Sequence, residues 1–88
     1  MGDDEAARAA GLMVIEPGTY LTAPTRRHRV LVRWEDGRWI TWAGIYRTAT
    51  FAGGGDGAVL VRERILYRGT SLDAALRAAT RFADGTKR

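Results

Sequence analysis

The sequence predicts an α+β fold: an antiparallel β-sheet of three to five strands with one C-terminal helix packed on one face, with or without a short N-terminal helix. Three observations predict it. Apolar and polar residues alternate on both sides of Asp36-Gly37, a second alternating run follows a glycine-rich connection, and leucines and alanines recur at helical spacing near the C-terminus. The 88 residues suit a single domain over 1–88, with the ends at 1–4 and 86–88 expected to fray.

The first quarter of the chain predicts a short helix and two short strands. An acidic residue at position 3 or 4 can cap a helix over residues 5–10, which the following glycine ends. The apolar run 12–15 has the length of a strand. Pro17-Gly18 favours a type II turn, so residues 20–22 are expected to return as a second strand.

The middle of the chain predicts a long hairpin. Residues 28–35 have the pattern of a strand, and Asp36-Gly37 is typical of a type I′ turn, in which both central residues need a positive φ angle. The chain then returns antiparallel over residues 38–51. The glycine-rich residues 53–57 connect it to a last strand over residues 58–68.

A helix closes the chain. Thr70 or Ser71 can cap it, and Asp73 lies in its first turn, where a negative charge is favoured. Its leucine and alanine side chains share the face that is expected to cover the sheet. Asp84-Gly85 is expected to end it.

The tight turn determines which residues pair and therefore which share a face of the sheet. It pairs Trp34 with Trp39 and Leu31 with Trp42. The helix side is expected to carry His28, Val30, Val32, Trp34, Trp39, Thr41, Ala43 and Ile45. The open side is expected to carry Arg29, Leu31, Arg33, Glu35, Arg38, Ile40, Trp42 and Tyr46. Two tryptophans are thus expected under the helix, whereas Trp42 points outward among arginines.

The last strand is expected to extend the same division. If its apolar residues Val59, Val61, Ile65 and Tyr67 join the helix side, then Arg62, Arg64 and Arg68 join the open side. Side chains two positions apart on a strand lie roughly 6.6–6.8 Å from each other. This is about twice the axial rise per nucleotide in duplex DNA, so Arg62 and Arg64 can follow a row of phosphates. Trp42 and Tyr46 can then stack on unpaired bases.

The composition also favours a polyanionic partner. The net charge is +4, and Lys87 is the one lysine among 14 basic residues. Arginine suits bidentate contacts with phosphate, and the cluster Arg26-Arg27-His28-Arg29 can grip phosphates as a short arm. A GC-rich gene and a solvated face covered by arginine stems would explain the same residues without a ligand.

Other classes of function are disfavoured. With no cysteine and one histidine, neither a protein-only metal site nor a cofactor is expected. The only serine, Ser71, is needed as a helix cap, so no catalytic residue is expected. The acidic start and the lack of a long apolar run predict a cytoplasmic protein that does not enter membranes.

The segment 69–79, GTSLDAALRAA, resembles the strand-to-helix junction of HicB-type antitoxins. The order of three strands followed by a helix is also similar to the arm-binding domain of tyrosine integrases. The chain departs from both by its glycine-rich hairpin between Phe51 and Ala58, so no functional residue is carried over. The resemblance implies a bacterial or phage regulatory binding module.

We therefore expect a small, non-enzymatic nucleic-acid-binding regulatory module. Its expected contacts are Arg29, Arg33, Arg38, Trp42, Tyr46, Arg62, Arg64, Arg68, Arg26 and Arg27. The alternative is a protein-protein interaction module, such as an antitoxin, a phage-encoded inhibitor or a homodimerising adaptor. That module would use an exposed strand edge or the Trp42 patch.

Overall fold

The computed structural model describes residues 2–25 and 27–86. In chain order the elements are helix α1 (Asp3–Ala9), strands β1 (Met13–Glu16), β2 (Thr19–Leu21), β3 (His28–Glu35), β4 (Arg38–Thr50) and β5 (Asp56–Gly69), and helix α2 (Leu72–Thr86). The strands form one antiparallel sheet in the order β1-β2-β3-β4-β5, and α2 packs against one face. The predicted α+β fold is confirmed.

The β3–β4 hairpin follows the sequence closely. Asp36 and Gly37 have φ angles of 51° and 78°, as a type I′ turn requires. Every predicted pair is present, from Glu35 with Arg38 to Val30 with Ala43, and the pairing continues to His28 with Ile45. The assignment of faces on these two strands is therefore confirmed.

The core lies between the sheet and the helices. Its fully buried sheet residues include Tyr20, Val30, Val32 and Thr41. They meet small residues of α2, and the Thr41 hydroxyl donates a 2.8 Å hydrogen bond to the carbonyl of Ala75. This bond satisfies a polar group that burial would otherwise penalise.

Both helices begin or end at residues other than those predicted. Residues 3 and 4 lie inside α1 rather than fraying or capping it, and its N-cap is Gly2, with no side-chain cap hydrogen bond. Asp4 is held there because it accepts a 2.8 Å hydrogen bond from the Tyr20 hydroxyl. The Ser71 hydroxyl accepts the Ala74 N–H, as expected of a cap. However, α2 does not end at Asp84-Gly85 but continues to Thr86, which was expected to fray. Residues 87 and 88, also expected to fray, lie outside the described residues.

The expectation that both Trp34 and Trp39 lie under the helix is wrong for Trp34. Trp39 is 6% exposed, whereas Trp34 is 50% exposed. The two rings meet edge to face with centroids 5.2 Å apart. Because α2 begins at Leu72, beside the end of the sheet, it covers Trp39 and leaves Trp34 on the wall of an open cleft that Thr70 also lines.

Strand β5 carries two irregularities that the sequence does not reveal. Thr41 pairs with Tyr67 and Trp42 with Ile65, so Leu66 is an extra residue. Ile45 pairs with Arg62 and Tyr46 with Leu60, so Val61 is a second extra residue. Each bulge shifts the alternation of side chains by one position. The faces of β5 therefore cannot be read by counting every second residue.

The β4–β5 hairpin extends beyond the rest of the sheet. Pairing between β3 and β4 stops at His28 and Ile45, but β4 and β5 pair for five further steps, from Tyr46 with Leu60 to Thr50 with Asp56. We call residues 46–61 the arm. It is a two-stranded ribbon about 17 Å long by the usual rise per residue, and it contributes to overall dimensions of 47 × 29 × 20 Å.

No helix within the described residues is both long and apolar enough to cross a bilayer.

Candidate nucleic-acid interface

The structure divides the predicted contact residues between two faces. Those on the open face of the sheet are Arg29, Arg33, Arg38, Arg68, Trp42 and Tyr46. Arg62 and Arg64 pair with Ile45 and Ala43, which belong to the helix side. The expectation that these two arginines join the open face is wrong, because the bulges at Leu66 and Val61 shift them to the other side. Arg27 precedes β3 and is exposed, and Arg26 lies outside the described residues.

Trp42 points away from the other two tryptophans, as predicted. It pairs with Leu31 on one side and with Ile65 on the other. Its ring lies across Gly44, where a Cβ atom would overlap the indole. Trp42 is half-buried on the sheet surface, with the outer edge of its six-membered ring over Gly44.

Tyr46 stands at the base of the arm with Arg29 beside it. The Arg29 guanidinium carbon lies 4.9 Å from the centroid of the Tyr46 ring, a cation–π contact. The Tyr46 N–H donates to the carbonyl of Arg27, which ties the base of the arm to the segment before β3. An open depression of about 350 Å³ beside this pair is also lined by Thr25 and Asp56. Arginine and tyrosine are thus placed together, but next to an acidic residue.

The open face as a whole carries mixed charge. Arg33 forms a 2.8 Å ion pair with Glu35 on the same strand. Glu63 pairs with Gly44 and so lies on this face, not on the helix side where regular alternation would put it. Glu16 pairs with Thr19, which in turn pairs with Arg33. Acidic residues therefore balance the open-face arginines, which weakens the attraction of this face for a polyanion.

An apolar row crosses the open face from one edge of the sheet to the other. Successive pairings align Met13, Leu21, Leu31, Trp42 and Ile65, one residue from each strand. Its end members, Met13 and Ile65, are 46% and 48% exposed. We call these five residues the apolar row. A contiguous exposed apolar surface of this kind is more typical of a protein contact than of a phosphate-binding face.

The helix side of the sheet is basic at the base of the arm. Arg47 follows Ile45 by two positions on β4, and Arg62 pairs with Ile45, so both lie on the helix side. Arg64 is two positions further along β5, on the same side, and all three are exposed. We call Arg47, Arg62 and Arg64 the basic strip. The other residues on this side of the arm are Ala49, Gly57 and Val59, so no carboxylate lies among the paired residues there.

An aromatic residue stands at the tip of the arm. Phe51 is 52% exposed, and its ring lies over Gly57, where a Cβ atom would overlap it. Hydrogen bonds between Phe51 and the loop backbone at Gly54 and Gly55 close the tip. Since Gly57 pairs with Ala49 on the helix side, Phe51 lies on the same side as the basic strip.

The acidic end of the molecule lies far from the arm. Asp3, Asp4 and Glu5 form the first turn of α1, and Asp3 lines the cleft beside Trp34 at the opposite end of β4. Here burial raises the pKa of Tyr20 to about 12, helped by its hydrogen bond to Asp4 and by the negative charges of Asp4 and Asp3. The protein thus has an acidic end at α1 and a basic strip at the base of the arm.

Comparison of the chain with protein-family models, with curated proteins and with solved structures gives no match. The sequence-based contact set omitted Arg47 and Phe51. Regular alternation along β4 places Arg47 on the other face of the sheet from Trp42. The sequence therefore does indicate that Arg47 is not part of the open face. The position of Phe51 depends on the conformation of the glycine loop, which the sequence does not determine.

Proposed function

We propose that this protein is a small, non-enzymatic nucleic-acid-binding module whose main contacts are the basic strip at the base of the arm and the arm itself. The observation that carries the proposal is the register of β4 and β5, which gathers Arg47, in the arm, with Arg62 and Arg64, just below it on β5, on the helix side of the sheet. A cytoplasmic location and a regulatory role remain part of the proposal.

The shape of the arm and the basic strip at its base suit a duplex groove. A two-stranded ribbon can enter a groove of DNA, with its arginines reaching phosphates or base edges. Arg62 and Arg64 are two positions apart, roughly 6.6–6.8 Å along the strand, which allows contacts along one phosphate row. The acidic α1 end would be repelled by the same polyanion and would favour approach with the arm first.

The aromatic tip adds a second type of contact. Proteins that bend a duplex often insert an apolar side chain between base steps, and proteins that bind single strands stack aromatic rings on bases. Phe51 is exposed and lies on the side of the basic strip, so it can make either contact. Tyr46 is less suited, because Arg29 already covers its ring.

The test is binding of labelled single- and double-stranded oligonucleotides, followed by fluorescence anisotropy over a range of salt concentrations. For a duplex, each neutralised phosphate contributes a slope of about −0.9 in log K against log salt, so three contacts give about −2.7. Replacement of all three strip arginines by glutamine should abolish most of this slope and weaken binding.

A charge-matched variant provides the control. Arg33, Arg38 and Arg68 lie on the open face, and replacing them by glutamine removes the same three charges. This variant should keep the slope of the unaltered protein. Equal loss in both triple variants would mean that only net charge matters, and no binding at low salt would overturn the proposed function.

A protein-interaction module is the second candidate, and the apolar row favours it. Exposed apolar side chains that form one line across five strands are costly to leave in water. This candidate uses the open face, whereas the nucleic-acid proposal uses the arm. The two functions can therefore coexist in one molecule.

A further inference from the structure

We infer that the open face of the sheet binds a second copy of this chain, forming a face-to-face dimer with a twofold axis along β3. The inference names the partner of the second candidate function and rests on it. It does not depend on nucleic-acid binding, because the basic strip lies on the other side of the sheet.

The apolar row is self-complementary under this symmetry. A twofold axis along the central strand exchanges β1 with β5 and β2 with β4. Met13 of one copy then meets Ile65 of the second copy, and Leu21 meets Trp42. Leu31 lies on the axis and meets its own equivalent. The two most exposed members of the row therefore cover each other.

The charges beside the row are complementary under the same rotation. The adjacent line of paired residues runs from Glu16 through Thr19, Arg33 and Ile40 to Arg68. Exchange of β1 with β5 places Arg68 of one copy opposite Glu16 of the other, twice per dimer. Arg33 lies near the axis but already carries Glu35 as its counter-ion. The twofold rotation exchanges the positions of Glu16 and Arg68. This complementarity favours a second copy of the chain over an unrelated partner, for which the two positions would not be related.

The area available is sufficient for a specific contact. Five strands of up to about eight residues at the usual spacing and rise present roughly 500 Å² of projected surface per copy. Both copies together reach about 1,000 Å², the lower limit for specific interfaces. Sheets that pack face to face lie about 10 Å apart, a distance that the Trp42 ring and the leucines can fill.

Sedimentation velocity of the full chain at micromolar concentration tests the inference. The expected species has twice the 9.7 kDa mass of one chain. Ile65→Arg should convert it to a monomer, because it places a charge in the row. Val59→Arg is the matched control, since Val59 is an apolar residue of the same strand that pairs with Arg47 on the helix side, away from the proposed contact.

A charge exchange then tests the orientation of the two copies. Glu16→Arg and Arg68→Glu should each weaken the dimer by about tenfold or more, whereas the double variant should restore it. Circular dichroism would check that each variant is folded. A monomeric unaltered chain at 100 µM would overturn the inference, and so would a dimer that survives Ile65→Arg. Oligonucleotide binding by the monomeric variant would show that the proposed function stands independently.

Discussion

The position of the Trp42 ring depends on a neighbouring glycine. The ring occupies the space above Gly44, two positions further along β4, and Gly44 itself is buried. The sequence predicts the direction of Trp42, because the Asp36-Gly37 turn determines the pairing. It does not predict that the outer edge of the ring lies over Gly44, because that depends on which neighbouring space is empty.

Gly44→Ala should therefore displace the Trp42 ring. The added methyl group would overlap the indole, and overpacking of this kind typically costs 1–3 kcal/mol, roughly, in unfolding free energy. Chemical denaturation followed by tryptophan fluorescence measures both the loss of stability and the change in ring environment. Gly53→Ala is the control, because no atom lies within 4 Å of a Cβ at that position. An unchanged midpoint and spectrum for Gly44→Ala would contradict the described packing.

Tyr20 should make the fold sensitive to alkaline pH. Its pKa is raised from the ordinary value of 10.0 to about 12, mainly by burial. Above pH 10 the unfolded chain releases this proton while the folded chain keeps it, so unfolding becomes more favourable as pH rises. The contribution of Tyr20 to stability is complete below pH 10 and is lost between about pH 10 and 12.

The Tyr20→Phe variant isolates this effect. It should be less stable at pH 7, by roughly 0.5–1.5 kcal/mol for the lost hydrogen bond to Asp4. It should also lose less further stability between pH 10 and 12 than the unaltered protein does. Denaturant midpoints at several pH values provide the measurement, and parallel pH profiles for the two proteins would refute the assignment.

At the level of elements, β3 and β4 were predictable and β5 was not. A two-residue turn sets the register of β3 and β4, and no bulge interrupts their pairing. Apolar and charged residues of β5 alternate regularly in sequence, yet two residues leave the ladder. The bulge at Leu66 lets both Leu66 and Tyr67 pack against the core, a tertiary gain that local alternation cannot indicate. For this reason the predicted contact residues of β5 lie on two faces: Arg68 is on the open face, whereas Arg62 and Arg64 are on the helix side.

The arm should be separable from the rest of the fold. None of the buried residues lies within residues 46–61. Replacing this segment by Asn-Gly should give a tight hairpin between Ile45 and Arg62, whose paired positions are kept. The shortened protein should keep cooperative thermal unfolding and its helical circular dichroism signal. Because it loses Arg47 and Phe51 but keeps Arg62 and Arg64, it should bind oligonucleotides more weakly, and its salt slope on a duplex should fall from about −2.7 to about −1.8. Loss of cooperative unfolding would show that the arm supports the core.

At the scale of the whole molecule, the chain presents two surfaces with different chemistry. The apolar row and its balanced charges lie on the open face, whereas the helix side carries the basic strip at the base of the arm and Phe51 at its tip. The acidic start of α1 lies at the other end of the sheet. Under the proposed functions, polyanion binding belongs to the basic strip and the arm, and protein contact belongs to the open face.

The most direct test of that assignment is NMR titration of the ¹⁵N-labelled, otherwise unaltered chain with a short DNA duplex at low salt. We expect the Nε–H signals of Arg47, Arg62 and Arg64 to shift, together with backbone amides of the arm. Signals of Arg33, Arg38 and Arg68 should stay in place. Shifts confined to those three open-face arginines and to the Trp42 indole N–H, with the arm unchanged, would contradict the assignment.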